Sequence, residues 1–166
     1  MARQHAHFSA QATEVRSLIQ RDLGDYGLRE VLAERDTWGL RLILQNATTG
    51  LQISYSPPEH AGWSAVIAQL QNGSFPKHPI KIDERTPLLR FDLRDLAAER
   101  IHLVPRLAHH LNAGSPLDTA ADLIELVSRC ADDVLGGEFS VFEALRPRVR
   151  ARVRGHQSYR PGHAEA

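Results

Sequence analysis

Between residues 9 and 23 the apolar side chains recur at three- and four-residue intervals, so that Val15, Leu18, Ile19 and Leu23 share one helical face. The spacing predicts an amphipathic helix, capped by Ser9 or Thr13 and stopped at Gly24. The period then drops to two. Leu40, Leu42 and Leu44 alternate with Arg41, Ile43 and Gln45, and Leu51, Ile53 and Tyr55 alternate with Gln52, Ser54 and Ser56. This predicts a β-hairpin. Its turn is Ala47-Thr48-Thr49-Gly50, with the glycine free to take a positive φ. A strand over 28–35, turning at Asp36-Thr37-Trp38-Gly39, precedes the hairpin. Another over 63–71 follows it, after a loop containing Pro57-Pro58-Glu59-His60-Ala61-Gly62. The result is a three- to four-stranded antiparallel meander with one wet face, the N-terminal helix covering the other.

Residues 72–90 are rich in turn formers, with a candidate short strand at Ile80-Lys81-Ile82. The remainder reads as helix. One short helix spans 92–100, and 101–111 is its candidate continuation past Pro105. Ser115-Pro116-Leu117-Asp118 combines a capping serine, a proline at the first helical position and an acid in the first turn. The helix it predicts carries Leu123, Leu126, Val127, Cys130 and Val134 on one face and ends at Gly136-Gly137. Ser140-Val141-Phe142-Glu143 has capping-box spacing, and Pro147 either limits that helix to about two turns or starts a new segment. The fold class is α+β: an N-terminal helix, an antiparallel meander, then C-terminal helices. Residues 1–145 are expected to form a single domain. Residues 146–166 are expected to form a basic tail, frayed from Gly155 onward, whose loss from 147 leaves the fold intact.

The charge pattern singles out that tail. The 166 residues carry 20 basic and 20 acidic side chains, a formal balance of zero. Six of the arginines (146, 148, 150, 152, 154 and 160) lie from Arg146 onward, against one acid, Glu165. The residues before them are correspondingly acidic, most of all Asp118, Asp122, Glu125, Asp132, Asp133, Glu138 and Glu143, opposed only by Arg129. All basic residues but Lys77 and Lys81 are arginine, which suits anionic partners or reflects a bias running through the whole chain. One cysteine excludes an intramolecular disulfide framework. No apolar run approaches a membrane span, and the polar start lacks a signal peptide's apolar stretch, so a cytoplasmic location is expected.

Candidate chemistry is sparse. Arg146, Arg148, Arg150, Arg152 and Arg154 recur at every second position. Extended, they share one face; helical, they form two stripes. They are candidates for a phosphate-binding arm, for a contact with an acidic protein, or for folding back over the acidic helix before them. His102 and His109 are seven apart with Pro105 between them, and no His-x-x-x-His or Cys-x-x-Cys occurs, so no metal site or cofactor is expected. Asp92 and Asp95 are a carboxylate pair for acid–base work or Mg²⁺, or a helix cap and dipole partner. Cys130 lies on an apolar helix face, as a small core residue does. Ser54, Ser56 and Ser64 lack the glycine-flanked nucleophile elbow. Tyr26, Tyr55 and Trp63 either gather as a binding anchor at one sheet edge or close the sheet onto the helix.

The order of one helix, a meander and acidic helices resembles small bacterial polymorphic-toxin immunity proteins. Locally, the run from Cys130 to Phe142, a helix closing on glycine before a short capped helix, resembles the ends of some such chains. Secretion chaperones have a similar layout, and the basic tail departs from both groups. The resemblance implies a non-enzymatic binding protein that neutralises a toxin or effector and carries over no site residues. The leading expectation is therefore a protein partner, a basic toxin or effector, met by Asp122, Glu125, Asp132 and Asp133 on an acidic body. The alternatives are a nucleic-acid-associated protein acting through the arginine tail, and a small metal-dependent hydrolase built on His102, His109, Asp92 and Asp95.

Overall fold

Phe8, Ala12, Val15, Ile19 and Leu23 follow one another at helical spacing and are all buried, which fixes the inner face of α1 (Ala2–Asp22). The helix begins earlier than the spacing from Val15 indicates, because Phe8 and Ala12 extend the same stripe by two turns. The computed structural model describes residues 2–35, 39–57, 62–77 and 85–158. The expected strand at Ile80–Ile82, the turn at Asp36–Trp38 and the end from Tyr159 lie outside these residues.

After a 3₁₀ turn at Gly24–Tyr26, five strands follow: β1 (Arg29–Arg35), β2 (Leu40–Gln45), β3 (Thr49–Ser56), β4 (Gly62–Gln69) and β5 (Arg90–Asp92). They pair in chain order, every pair antiparallel. Period-two burial holds where the sequence shows it: Leu40, Leu42 and Leu44 face inward, as do Leu51, Ile53 and Tyr55. The fifth strand begins at the last residue of the turn-rich stretch 72–90 and ends at Asp92, where the short helix is expected to start. It is three residues long, too short for alternation to register.

Helices cover one side of the sheet. They are α2 (Leu93–Glu99), α3 (Ala108–Ala113), α4 (Ala120–Cys130), α5 (Asp132–Leu135) and α6 (Ser140–Ser158). Asp92 caps α2 by accepting from the Arg94 amide at 2.9 Å. Beyond Arg100 the chain does not run on as α-helix: 3₁₀ turns at Ile101–Leu103 and Pro105–Leu107 precede α3, because Pro105 has no amide to continue the ladder. The start of α4 lies four residues later than Ser115-Pro116 indicates. Thr119 is its cap, accepting from the Asp122 amide at 3.1 Å. Leu117 is held instead by the sheet, where its carbonyl accepts from the Trp63 amide at 3.0 Å. Gly62 permits this approach. Its φ is +60°, and a Cβ there would stand 2.7 Å from the Leu117 carbonyl oxygen.

Two further corrections concern glycine and proline. Gly50 is not the turn residue of the hairpin; it lies in β3 opposite Gln45, where a Cβ would stand 2.6 Å from the Phe75 ring. The turn is organised by Asn46, whose Oδ1 accepts from the Thr48 and Thr49 amides (2.9 and 2.8 Å). Its Nδ2 donates to the carbonyls of Tyr26 and Leu135 (both 3.1 Å). Buried Thr49 adds a bond to the Val134 carbonyl at 2.9 Å. Pro147, for its part, neither stops nor restarts a helix; it sits inside α6. The boundary expected after residue 145 therefore falls within one helix, and Val149 beyond it is 2% exposed.

Candidate functional site

The four acids expected to meet a partner already have partners in the chain. Arg106 takes both Asp122 (2.6 Å) and Glu125. Arg100 grips Asp133 through two bonds of 2.6 Å, and this holds the Asp133 carboxyl below the usual carboxylate range. Asp132 accepts from the Tyr26 hydroxyl. Burial, with that bond to a carboxylate, pushes the Tyr26 pKa up to about 12. For Asp122 and Glu125 the reason is the place of α4. It is amphipathic but central in the helical layer, with Leu123, Ile124, Leu126, Val127 and Cys130 all buried, so its acids emerge only at the flanks, beside arginines.

The arginine tail is helical, and its two stripes are distinct. Arg148 and Arg152, one turn apart on α6, meet Glu99 (2.5 Å) and Asp95 (2.9 Å), one turn apart on α2. Arg146 pairs with Glu143 three residues before it. The helix thus folds back on the body, as one reading of the tail had it, but onto α2 rather than α4. Arg150 lies half-buried on the other stripe; the Arg154 side chain lies outside the described residues.

The remaining candidates are structural. Asp92 caps α2, and burial pushes its carboxyl up. Asp95, 6% exposed, serves as the counter-ion of Arg152. His102 sits in the 3₁₀ turn at Ile101–Leu103 while His109 and His110 lie on α3, so they do not form one helical face. Among the described residues no group of three or more His, Cys, Asp or Glu side chains could hold a metal ion. Cys130 is buried, which pushes its thiol up. Tyr55 and Trp63 pack with their ring centres 4.8 Å apart and the rings tilted within the core, with Phe8 of α1 edge-on to Tyr55 at 6.1 Å. They close the sheet onto the helix, and Tyr26 does not join them. Ser54 and Ser64 face each other across β3 and β4 on the side of the sheet away from the core.

One open feature remains, which the sequence reading passed over. β1 is the edge of the sheet: six of its seven residues pair with β2 on one side, and among the described residues nothing pairs with the other. Six of the seven are exposed. A bulge between Glu30 and Leu32 leaves Val31 unmatched across the ladder, and Val31 is 56% exposed. Beside it opens a cavity of about 510 Å³ lined by Gly27, Arg29, Val31, Gln45, Asn46 and Ala47. The signal was present in the run Arg29-Glu30-Val31-Leu32-Ala33-Glu34-Arg35. Its charged ends mark an edge strand, and its charges read the same in both directions.

Among the described residues no helix is long and apolar enough to cross a membrane. Compared with protein-family models, with curated proteins and with solved structures, the chain matches none.

Proposed function

We propose that this chain is a non-enzymatic protein-binding module that accepts an extended segment of its partner along β1. The observation that supports this is the open outer edge of a seven-residue strand with an exposed valine at its bulge. Unpaired edge amides and carbonyls are a template for strand addition, and the cavity beside Val31 offers room for a partner's side chain. Internal pairing of the acids and arginines works in the same direction, since those charges are committed within the fold. In its finer form the reading keeps a toxin or effector as the protein held and a cytoplasmic setting, supported by the layout resemblance alone.

The test is affinity capture from the native host, run with and without nuclease treatment. Val31→Lys places a charge on the edge at an exposed position and is expected to keep the melting temperature while abolishing capture. Asp132→Lys, on the acidic side, is expected to leave capture intact. Capture that survives Val31→Lys but is lost with Asp132→Lys refutes edge binding in favour of the acidic surface. Loss on nuclease treatment alone favours the nucleic-acid alternative.

A further inference from the structure

We infer that β1 pairs with β1 of a second copy of this chain, antiparallel about a twofold axis, in one register. This rests on the edge-binding reading above and names its occupant. The ladder with β2 fixes which way each side chain points. Arg29, Leu32 and Glu34 lie opposite Gln45, Ile43 and Arg41 and so share the outer face; Glu30 and Ala33 lie opposite Leu44 and Leu42 and share the inner one. Val31 lines the cavity with Arg29 and Gln45, which puts it on the outer face as well.

Facing two such strands antiparallel leaves few choices. In one register Arg29 meets Glu34 of the second copy, Glu30 meets Ala33 and Val31 meets Leu32, and the twofold repeats each pair. Every pair then joins side chains of the same face. Two Arg–Glu pairs flank an apolar quartet made by Val31 and Leu32 of both chains. Of the two registers one residue away, one sets Arg29 against Arg35 and Glu30 against Glu34, like charge on like, the other sets Arg29 against Ala33 and Glu30 against Leu32, and both cross outer with inner positions. Charge order and facing together therefore favour this self-pairing over the registers beside it. Arg29 has no carboxylate partner among the described residues, whereas Glu34 already holds Arg41. Arg29 of the second copy would complete an Arg–Glu–Arg group on each side of the axis. The product is one continuous ten-stranded sheet, and the contact is isologous, as a closed dimer requires.

Sedimentation of the full chain tests this, over concentrations from about 1 µM to about 1 mM, the range of a small edge interface. The expected result is a shift from the 18.5 kDa monomer toward twice that mass. Arg29→Glu and Glu34→Arg are each expected to be monomeric alone, and an equimolar mixture of the two to dimerise again, because each chain then supplies the charge the other lacks. Regained dimer also shows that both variants fold. For the register, a mixture of Val31→Cys and Leu32→Cys chains should form an interchain disulfide that neither forms alone. A wild type that stays monomeric throughout, single variants that still dimerise, or a mixture that fails to recover would each overturn the proposal. A monomeric wild type whose host capture remains sensitive to Val31→Lys overturns self-pairing while leaving strand addition intact. Capture indifferent to Val31→Lys overturns the edge-binding reading itself.

Discussion

Removing residues 147–166 should cost this fold a large part of its stability, although the sequence pattern marks them as a dispensable tail. The deletion takes away Val149, which is 2% exposed; burial of one such side chain contributes about 1.5–3 kcal/mol. It also strips Asp95, 6% exposed, of Arg152. Leaving a buried carboxylate without its counter-ion costs about 3–5 kcal/mol when the pair is fully buried, and roughly 1–3 here because Arg152 reaches solvent. The Arg148–Glu99 pair is exposed on both sides and contributes about 0–1 kcal/mol. The three effects share one helix and are not strictly additive, so the expected loss is about 3–6 kcal/mol. At about 2–4 °C per kcal/mol for a domain of this size, the melting temperature should fall by roughly 10–20 °C. Thermal melts of the full and shortened chains by circular dichroism measure this. Val149→Ala should reproduce about 1.5–2.5 kcal/mol of it, and Arg152→Gln most of the rest. A shortened chain melting within about 5 °C of the full one would refute the reasoning and show that α6 past Pro147 does not hold the body together.

Asn46→Ala should be among the most damaging single polar substitutions, at about 2–4 kcal/mol in urea unfolding, because four hydrogen bonds across three elements lose their common partner. Arg100 lowers the Asp133 carboxyl below its ordinary 3.8, and Arg16 lowers Glu30 below 4.5. Both therefore add stability that is full above about pH 5 and is lost as pH falls through the depressed folded values; Asp133→Asn should reduce stability at pH 7 and flatten the acid limb of the unfolding curve. In a tyrosinate absorbance titration Tyr26 should ionise near pH 12, and Asp132→Asn should bring it down. Cys130 should resist a thiol reagent in the native chain and react at the rate of unfolding.

What could be read in advance follows from how each element gains its stability. The hairpin strands β2 and β3 and the helix of residues 9–23 announce themselves by period, because each buries one face against the rest of the domain. β5 is held by three residues against β4, and no pattern of three residues is distinctive. The true cap of α4 was obscured because two start signals stand close together, Ser115-Pro116 and Thr119. Leu117 decides between them by bridging to Gly62 and Trp63, a contact far away in sequence. Pro147 misled for a physical reason as well. A proline inside a helix removes one bond and crowds the preceding turn, yet Phe142, Leu145 and Val149 bury one continuous stripe on both sides of it, and that packing overrides the local penalty. At the candidate site, the arginines and acids were visible but their pairing was not, since Glu99 and Arg148, or Arg100 and Asp133, meet only through the tertiary fold.

The same pairing changes what the segregated charge means. An acidic body beside a basic tail suggests two surfaces waiting for two kinds of partner. Once α6 lies antiparallel to α2, the ladder of Arg148 and Arg152 on Glu99 and Asp95 cancels charge inside the molecule, and Arg106 does the same for Asp122 and Glu125. Long-range steering by either half is thereby weakened, because paired opposite charges produce a field that falls off within a Debye length. On the reading proposed above, recognition rests on short-range features, which β1 concentrates: an edge that no strand pairs among the described residues, an exposed Val31 and an Arg29 with no carboxylate partner among them. A partner selected there is selected by backbone register and by the order of charges along seven residues rather than by net charge. That makes a strand of matching pattern, of which the chain itself carries one, a better fit than a uniformly basic surface.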